Sequence, residues 1–144
     1  MKIFLSTSFS HKVNYDTGEV FPEFRAEIEA LLKVIRNAGH EVFAAIEDEG
    51  WKIGDMTPAD SAKFDIQKID ESDALLAILH DQPSAGVQWE IGYVDASGKK
   101  VYIISEDGKD IGYWNRAIEA LGRVTRLPYS PGDLSEFEKA IKNL

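Results

Sequence analysis

A chain of 144 residues, 44% of them hydrophobic and 28% charged, is long enough to bury one core of ordinary size, and it is read as a single domain over residues 1–144. Its formal net charge of −9 excludes the Lys/Arg-rich surface that a nucleic acid polymer demands, though not a single nucleotide, whose phosphate can be held by backbone N–H groups and hydroxyls. There is no cysteine for disulfides or thiolate metal sites, the apolar run at Met1–Ser6 is too short for a signal peptide, and nothing approaches the ~20 apolar residues of a membrane span, so a soluble cytoplasmic protein is expected.

The elements follow in chain order. A first strand is expected at Lys2–Ser6, running into the hydroxyl cluster Ser6-Thr7-Ser8-Phe9-Ser10. Phe21, Phe24, Ile28, Leu31, Leu32, Ile35 and Ala38 recur at helical spacing, and Gly39 follows as a helix-ending residue. A second strand is expected at Glu41–Ala45, and then a polar loop over Ile46–Met56. Thr57-Pro58 reads as an N-cap with proline at the first helical position, opening a helix to about Glu71. Strands at Asp73–Leu79, Lys100–Ser105 and Arg123–Leu127 alternate with helices near Gly86–Ser97, Tyr113–Leu121 and Leu134–Lys142.

Such alternation describes an α/β fold with a mostly parallel sheet between two helical layers. Right-handed crossovers and the number of units favour a Rossmann-like, flavodoxin-like order 2-1-3-4-5. A ligand then sits beyond the carboxyl ends of strands 1 and 3, at the loops Ser6–Ser10 and His80–Gly86.

Two carboxylates fall where apolar residues belong. Asp65 lies three residues after Ala62 and four before Ile69, and Glu90 stands in the same relation to Val87 and Val94. Residues three and four apart share a helix face, so both should point inward. Paired carboxylates in a partly dry cleft separate into one acid and one base, which is the apparatus for cleaving a bond at an anomeric carbon. On spacing alone each could also be a stripe-edge residue that reaches water.

Just before Glu90, Ser84 is a plausible N-cap and Gly86 permits close approach to the backbone, so free N–H groups here can receive an anion. Ser6, Thr7 and Ser8 are the facing hydroxyls. Neither loop matches a P-loop or a GxGxxG pattern, so neither a nucleoside triphosphate nor a dinucleotide cofactor is expected. His11, His40 and His80 lack ligand spacing, and no metal is expected. Trp89 is either a base-stacking residue or packing.

The segment from Asp65 to Lys100, above all Pro83-Ser84-Ala85-Gly86-Val87-Gln88-Trp89-Glu90-Ile91-Gly92-Tyr93, resembles the nucleoside 2-deoxyribosyltransferase superfamily. The resemblance implies that Glu90 attacks the anomeric carbon to form a glycosyl ester and that Asp65 handles the proton of the departing base. It also implies that Ser84, in a Pro-Ser-x-Gly-Val context, binds a nucleotide 5′-phosphate, as in the 2′-deoxynucleoside 5′-phosphate N-hydrolases and CMP-type N-glycosidases. Transferases acting on free nucleosides tend to carry an acid near that position. Homodimerisation follows as a further expectation, with Asn115 matching a polar residue that the family contributes to the neighbouring subunit's site. Base exchange between nucleosides, and nucleotide binding without turnover, remain the alternatives.

Overall fold

A computed structural model describes residues 1–80 and 84–144 of the chain. Its strands are β1 (Lys2–Thr7), β2 (Glu41–Phe43), β3 (Ala74–Ile78), β4 (Lys100–Ile104) and β5 (Thr125–Arg126). They form one sheet in the order β2-β1-β3-β4-β5 with every pairing parallel, which is the expected flavodoxin-like arrangement. The helices are α1 (Pro22–Asn37), α2 (Ala45–Asp48), α3 (Pro58–Asp70), α4 (Ala85–Ala96), α5 (Tyr113–Ala120) and α6 (Ser135–Ile141). No described helix is long and apolar enough to cross a membrane.

Parallel strands need helical crossovers, and these cover both faces of the sheet. The central strand β3 is accordingly buried along its whole length, and its sequence Ala-Leu-Leu-Ala-Ile is apolar throughout. Strand alternation divides the core. Ile3, Leu5, Leu76, Ile78 and Ile104 pack against Phe24, Ile28 and Ile35 of α1 and Phe137 and Ile141 of α6. Phe4, Leu75, Ala77, Val101 and Ile103 pack against Ile69 of α3 and Val87, Ile91 and Val94 of α4.

The helix signals act as expected. Thr57 accepts the N–H of Asp60 at 3.2 Å, so the cap and Pro58 together start α3. Gly39 takes φ +89° beyond the end of α1, a conformation that a side chain would strain. β3 and β4 end within a residue of the expected bounds, but two strands are markedly shorter than expected. β2 stops at Phe43 because Ala45 already opens α2, inside what reads as a polar loop. β5 reduces to two residues, shortly before Pro128, which has no N–H for a ladder.

The two long loops are tied to each other. Glu19 and Lys52 form an antiparallel bridge, Val20 N–H donates to Trp51 C=O, and Ile53 N–H donates to Gly18 C=O. Trp51 holds a left-handed φ of 64°, and the Arg25 guanidinium lies 5.1 Å from its ring centre.

Candidate active site

β1 leaves the sheet between β2 and β3, so the carboxyl ends of β1 and β3 are where strand order reverses. α4 packs Val87, Ile91 and Val94 into the core, and this carries Glu90 to the edge of that apolar face, above the end of β1. α3 is different from expectation. Ala62 is exposed rather than inward, Ile66 is half-buried, and Ile69 is the buried residue. The helix leans on the sheet through Ile69 and through Phe64, whose ring meets Phe43 edge-on at 5.8 Å. Asp65 is therefore half-buried at the margin of the contact, facing the cleft.

The two carboxylates share one cavity of about 150 Å³ with Ser6, Thr7, Ser8, Ser84 and Gly86, walled by Phe4, Ala45 and Ile46. Burial pushes Glu90 up to about 7; the Ser6 hydroxyl, which donates to its Oε2, opposes that rise, and the neighbouring Asp65 charge adds to it. Burial also pushes Asp65 up to about 6, helped by the charge of Glu49. Between these values the pair holds a single proton. The two values belong to the pair, and the roles that the sequence suggests for a substrate-bound site put that proton on Asp65.

At the other end of the cavity, Ser84 caps α4 by accepting the N–H of Val87 at 3.3 Å. The first turn of α4 carries no acidic residue, so its N–H groups and dipole present a positive end to the cavity. Gln82 and Pro83 of the expected phosphate loop lie outside the described residues.

The three hydroxyls at the end of β1 all line this cavity but make different contacts. Ser6 is committed to Glu90, and Thr7 exchanges a hydrogen bond with His80 Nε2 at 3.2 Å on the α1 side of the sheet. Ser8 stands at the junction of three cavities. Strand periodicity accounts for the split: consecutive residues point to opposite faces. Trp89 projects outward, about half exposed, and stacks on Tyr93 with ring centres 5.1 Å apart. It does not line the carboxylate cavity.

Asn115 is buried in its own subunit, where Nδ2 donates to Ile111 C=O at 2.7 Å. It lines a cavity of about 340 Å³ together with Ser84, Val87 and Gln88 of the same chain. That bond fixes the amide orientation, since the atom facing a carbonyl must be the NH₂ group. Asn115 Oδ1 is then a buried acceptor without a partner among the described residues.

Three features escaped the sequence reading: the Ser6–Glu90 bond, the charge that Glu49 places beside Asp65, and the wall formed by Ala45 and Ile46. Strand parity alone would have placed Ser6 on the Phe4 face, toward α4, but not the bond itself.

The chain can now be set beside known proteins. The family model described as nucleoside 2-deoxyribosyltransferase matches residues 17–140. The comparison with curated proteins finds no significant match. Among solved structures, the CMP N-glycosidase BcmB of Clostridium botulinum superposes with a TM-score of 0.69 at 21% identity, covering 100% of both chains. BlsM, solved in solution, gives a TM-score of 0.77 at 26% identity over 99% of this chain and 90% of that one. The 2-deoxyribosyltransferase of the psychrotolerant bacterium Bacillus psychrosaccharolyticus gives 0.59 at 22% identity over 90% of this chain and 99% of that one. With the family model spanning most of its length and the sheet order agreeing, this chain belongs to the nucleoside 2-deoxyribosyltransferase family, whose members are enzymes acting on nucleosides or nucleotides.

Proposed function

We propose that the protein is an N-glycosidase that hydrolyses nucleoside 5′-monophosphates, ribo- or 2′-deoxy-, to free base and sugar 5-phosphate. The observation that carries this reading is the meeting of Glu90 and Asp65 in one cavity whose far end is the capped, acid-free N-terminus of α4. In the first step a Glu90 carboxylate oxygen bonds to C1′ as the C1′–N bond breaks. The bond's electron pair goes to the base nitrogen, and Asp65 delivers the proton that neutralises it. In the second step water attacks C1′, its proton passes to Asp65, and Glu90 leaves as a carboxylate.

The productive state has one proton in the pair, on Asp65, with the charge on Glu90. Developing positive charge on the sugar favours that arrangement, because it stabilises the carboxylate beside it. Turnover against pH is then a bell, with limbs near 6 and 7 that belong to the pair.

Ser84 and the free N–H groups of α4 support a phosphate at the 5′ end. A second reading, base exchange between free nucleosides, draws on Asn115: an unpartnered buried acceptor suits a 5′-hydroxyl better than a phosphate. One panel separates them. The protein is incubated with ribo- and deoxynucleotides, CMP and dCMP among them, and with nucleosides plus free bases, and the products are separated by chromatography. Free base from monophosphates, absent with Glu90→Ala, is the expected result. Exchange confined to nucleosides supports the second reading, and nucleotide binding with no base released by wild type overturns both.

A further inference from the structure

Alternation along β1 places Phe4 and Ser6 on the side of the sheet that faces α3 and α4. Ser6 is 2% exposed, and in the sheet register it lies opposite Ala77 of β3, which leaves room beside it. Phe4, the other position on that short face, is apolar and offers no donor. A hydroxyl buried in such a wall must find a partner. It finds the carboxyl of Glu90, and it is the side-chain donor to that carboxyl among the described residues.

We infer that Ser6 is a positioning residue for the nucleophile, and not a ligand of the substrate's phosphate. By holding Oε2 it turns Oε1 toward the sugar, and its donation favours the ionised carboxylate against burial and the Asp65 charge. When Oε1 bonds to C1′, Oε2 becomes the ester carbonyl oxygen and keeps its donor. When the C1′–Oε1 bond later breaks, the returning electron pair spreads over a carboxylate that Ser6 already stabilises. Were Ser6 to turn to a phosphate instead, a buried carboxyl would lose this donor. The inference rests on the reading of Glu90 as nucleophile, so its test has an arm that needs no turnover.

In that arm the Glu90 carboxyl is titrated by carbon NMR in the ligand-free protein, labelled at glutamate and assigned by the signal missing in Glu90→Gln. Ser6→Ala should raise the midpoint by about one pH unit, and Ser6→Thr, which keeps the hydroxyl, should restore it. In the turnover arm Ser6→Ala should lower kcat about tenfold, since the productive tautomer becomes that much rarer. KM for monophosphates should stay within about twofold, and the alkaline limb should move up with the NMR midpoint. An unmoved midpoint overturns the inference even if base is released as proposed. So does a rise in KM confined to monophosphates, which is the signature of a phosphate ligand. If wild type releases no base from any substrate, the nucleophile reading falls and the catalytic role of Ser6 falls with it, whatever the midpoint does.

Discussion

Two of the three cavities that meet at Ser8 treat their acids differently. The larger, about 340 Å³, lies on the α1 side, where Glu27 and Glu106 are accompanied by Lys12, Lys109, His11 and His80. Tyr129 donates to Glu27, and Glu106 pairs with Lys109 at 3.0 Å. The smaller, about 150 Å³, holds Asp65 and Glu90 with no cationic residue among the described residues that line it. Opposite charge and hydroxyl donors satisfy the acids of the first cavity as structural groups. In the second, charge compensation is withheld: burial and the Asp65 charge raise the proton affinity of Glu90, and burial and the Glu49 charge raise that of Asp65. Size is therefore a poor guide to chemistry in this molecule; the withheld counter-charge is the better one.

The contrast is most easily broken at the acids themselves. Glu90→Ala should lower base release by at least about 10³-fold, because it removes the covalent path. Glu27→Gln should leave kcat/KM within about threefold and instead cost about 1–2 kcal/mol in denaturant unfolding through its weakened bond from Tyr129. Comparable loss of activity at both positions would erase the distinction. Asp65→Asn should cost about 10²–10⁴-fold on ordinary nucleotides. The loss should shrink for an analogue with a nitrophenyl leaving group, which needs no proton; an equal loss on both would remove the acid role.

Ser84→Asp should reduce activity on monophosphates by about tenfold or more while sparing nucleosides, since a carboxylate repels phosphate where a hydroxyl can donate to it. The smallest effect concerns stability. Glu90 is raised in the fold from 4.5 to about 7, so the folded state holds its proton across that interval while the unfolded chain releases it. Its favourable contribution is complete below about 4.5 and is lost as pH rises to about 7. Glu90→Gln should therefore stabilise the protein by about 1–3 kcal/mol at pH 8 and by almost nothing near pH 4.5, read from thermal midpoints. A larger gain at the acid end would contradict the raised pKa.

Much of this fold can be read along the chain, because the signals are local. Thr57-Pro58 starts a helix and Gly39 ends one through backbone chemistry that needs no tertiary context. The inward position of Glu90 follows from Val87, Ile91 and Val94, since α4 lies flat on the sheet. The same spacing argument overstates Asp65, because α3 touches the sheet by Ile69 and Phe64 and leaves Ala62 in solvent. A heptad of residues specifies a face but not the tilt with which it is laid down. The division of Ser6 from Thr7 was available from strand period. The approach of Glu49 to Asp65 was not, since it depends on α2 and on loops tied together by the Glu19–Lys52 bridge.

The proposed catalysis by this protein depends on a covalent bond to Glu90. A 2-fluoroarabinosyl nucleotide 5′-phosphate, whose electron-poor sugar slows breakdown of the ester more than its formation, should leave one sugar phosphate on the protein. Mass spectrometry of the digested protein should place that added mass on the peptide containing Glu90, and Glu90→Gln should carry none. Release of base together with sugar phosphate of inverted configuration at C1′ and no covalent adduct, or an adduct on another residue, would contradict the role assigned to Glu90.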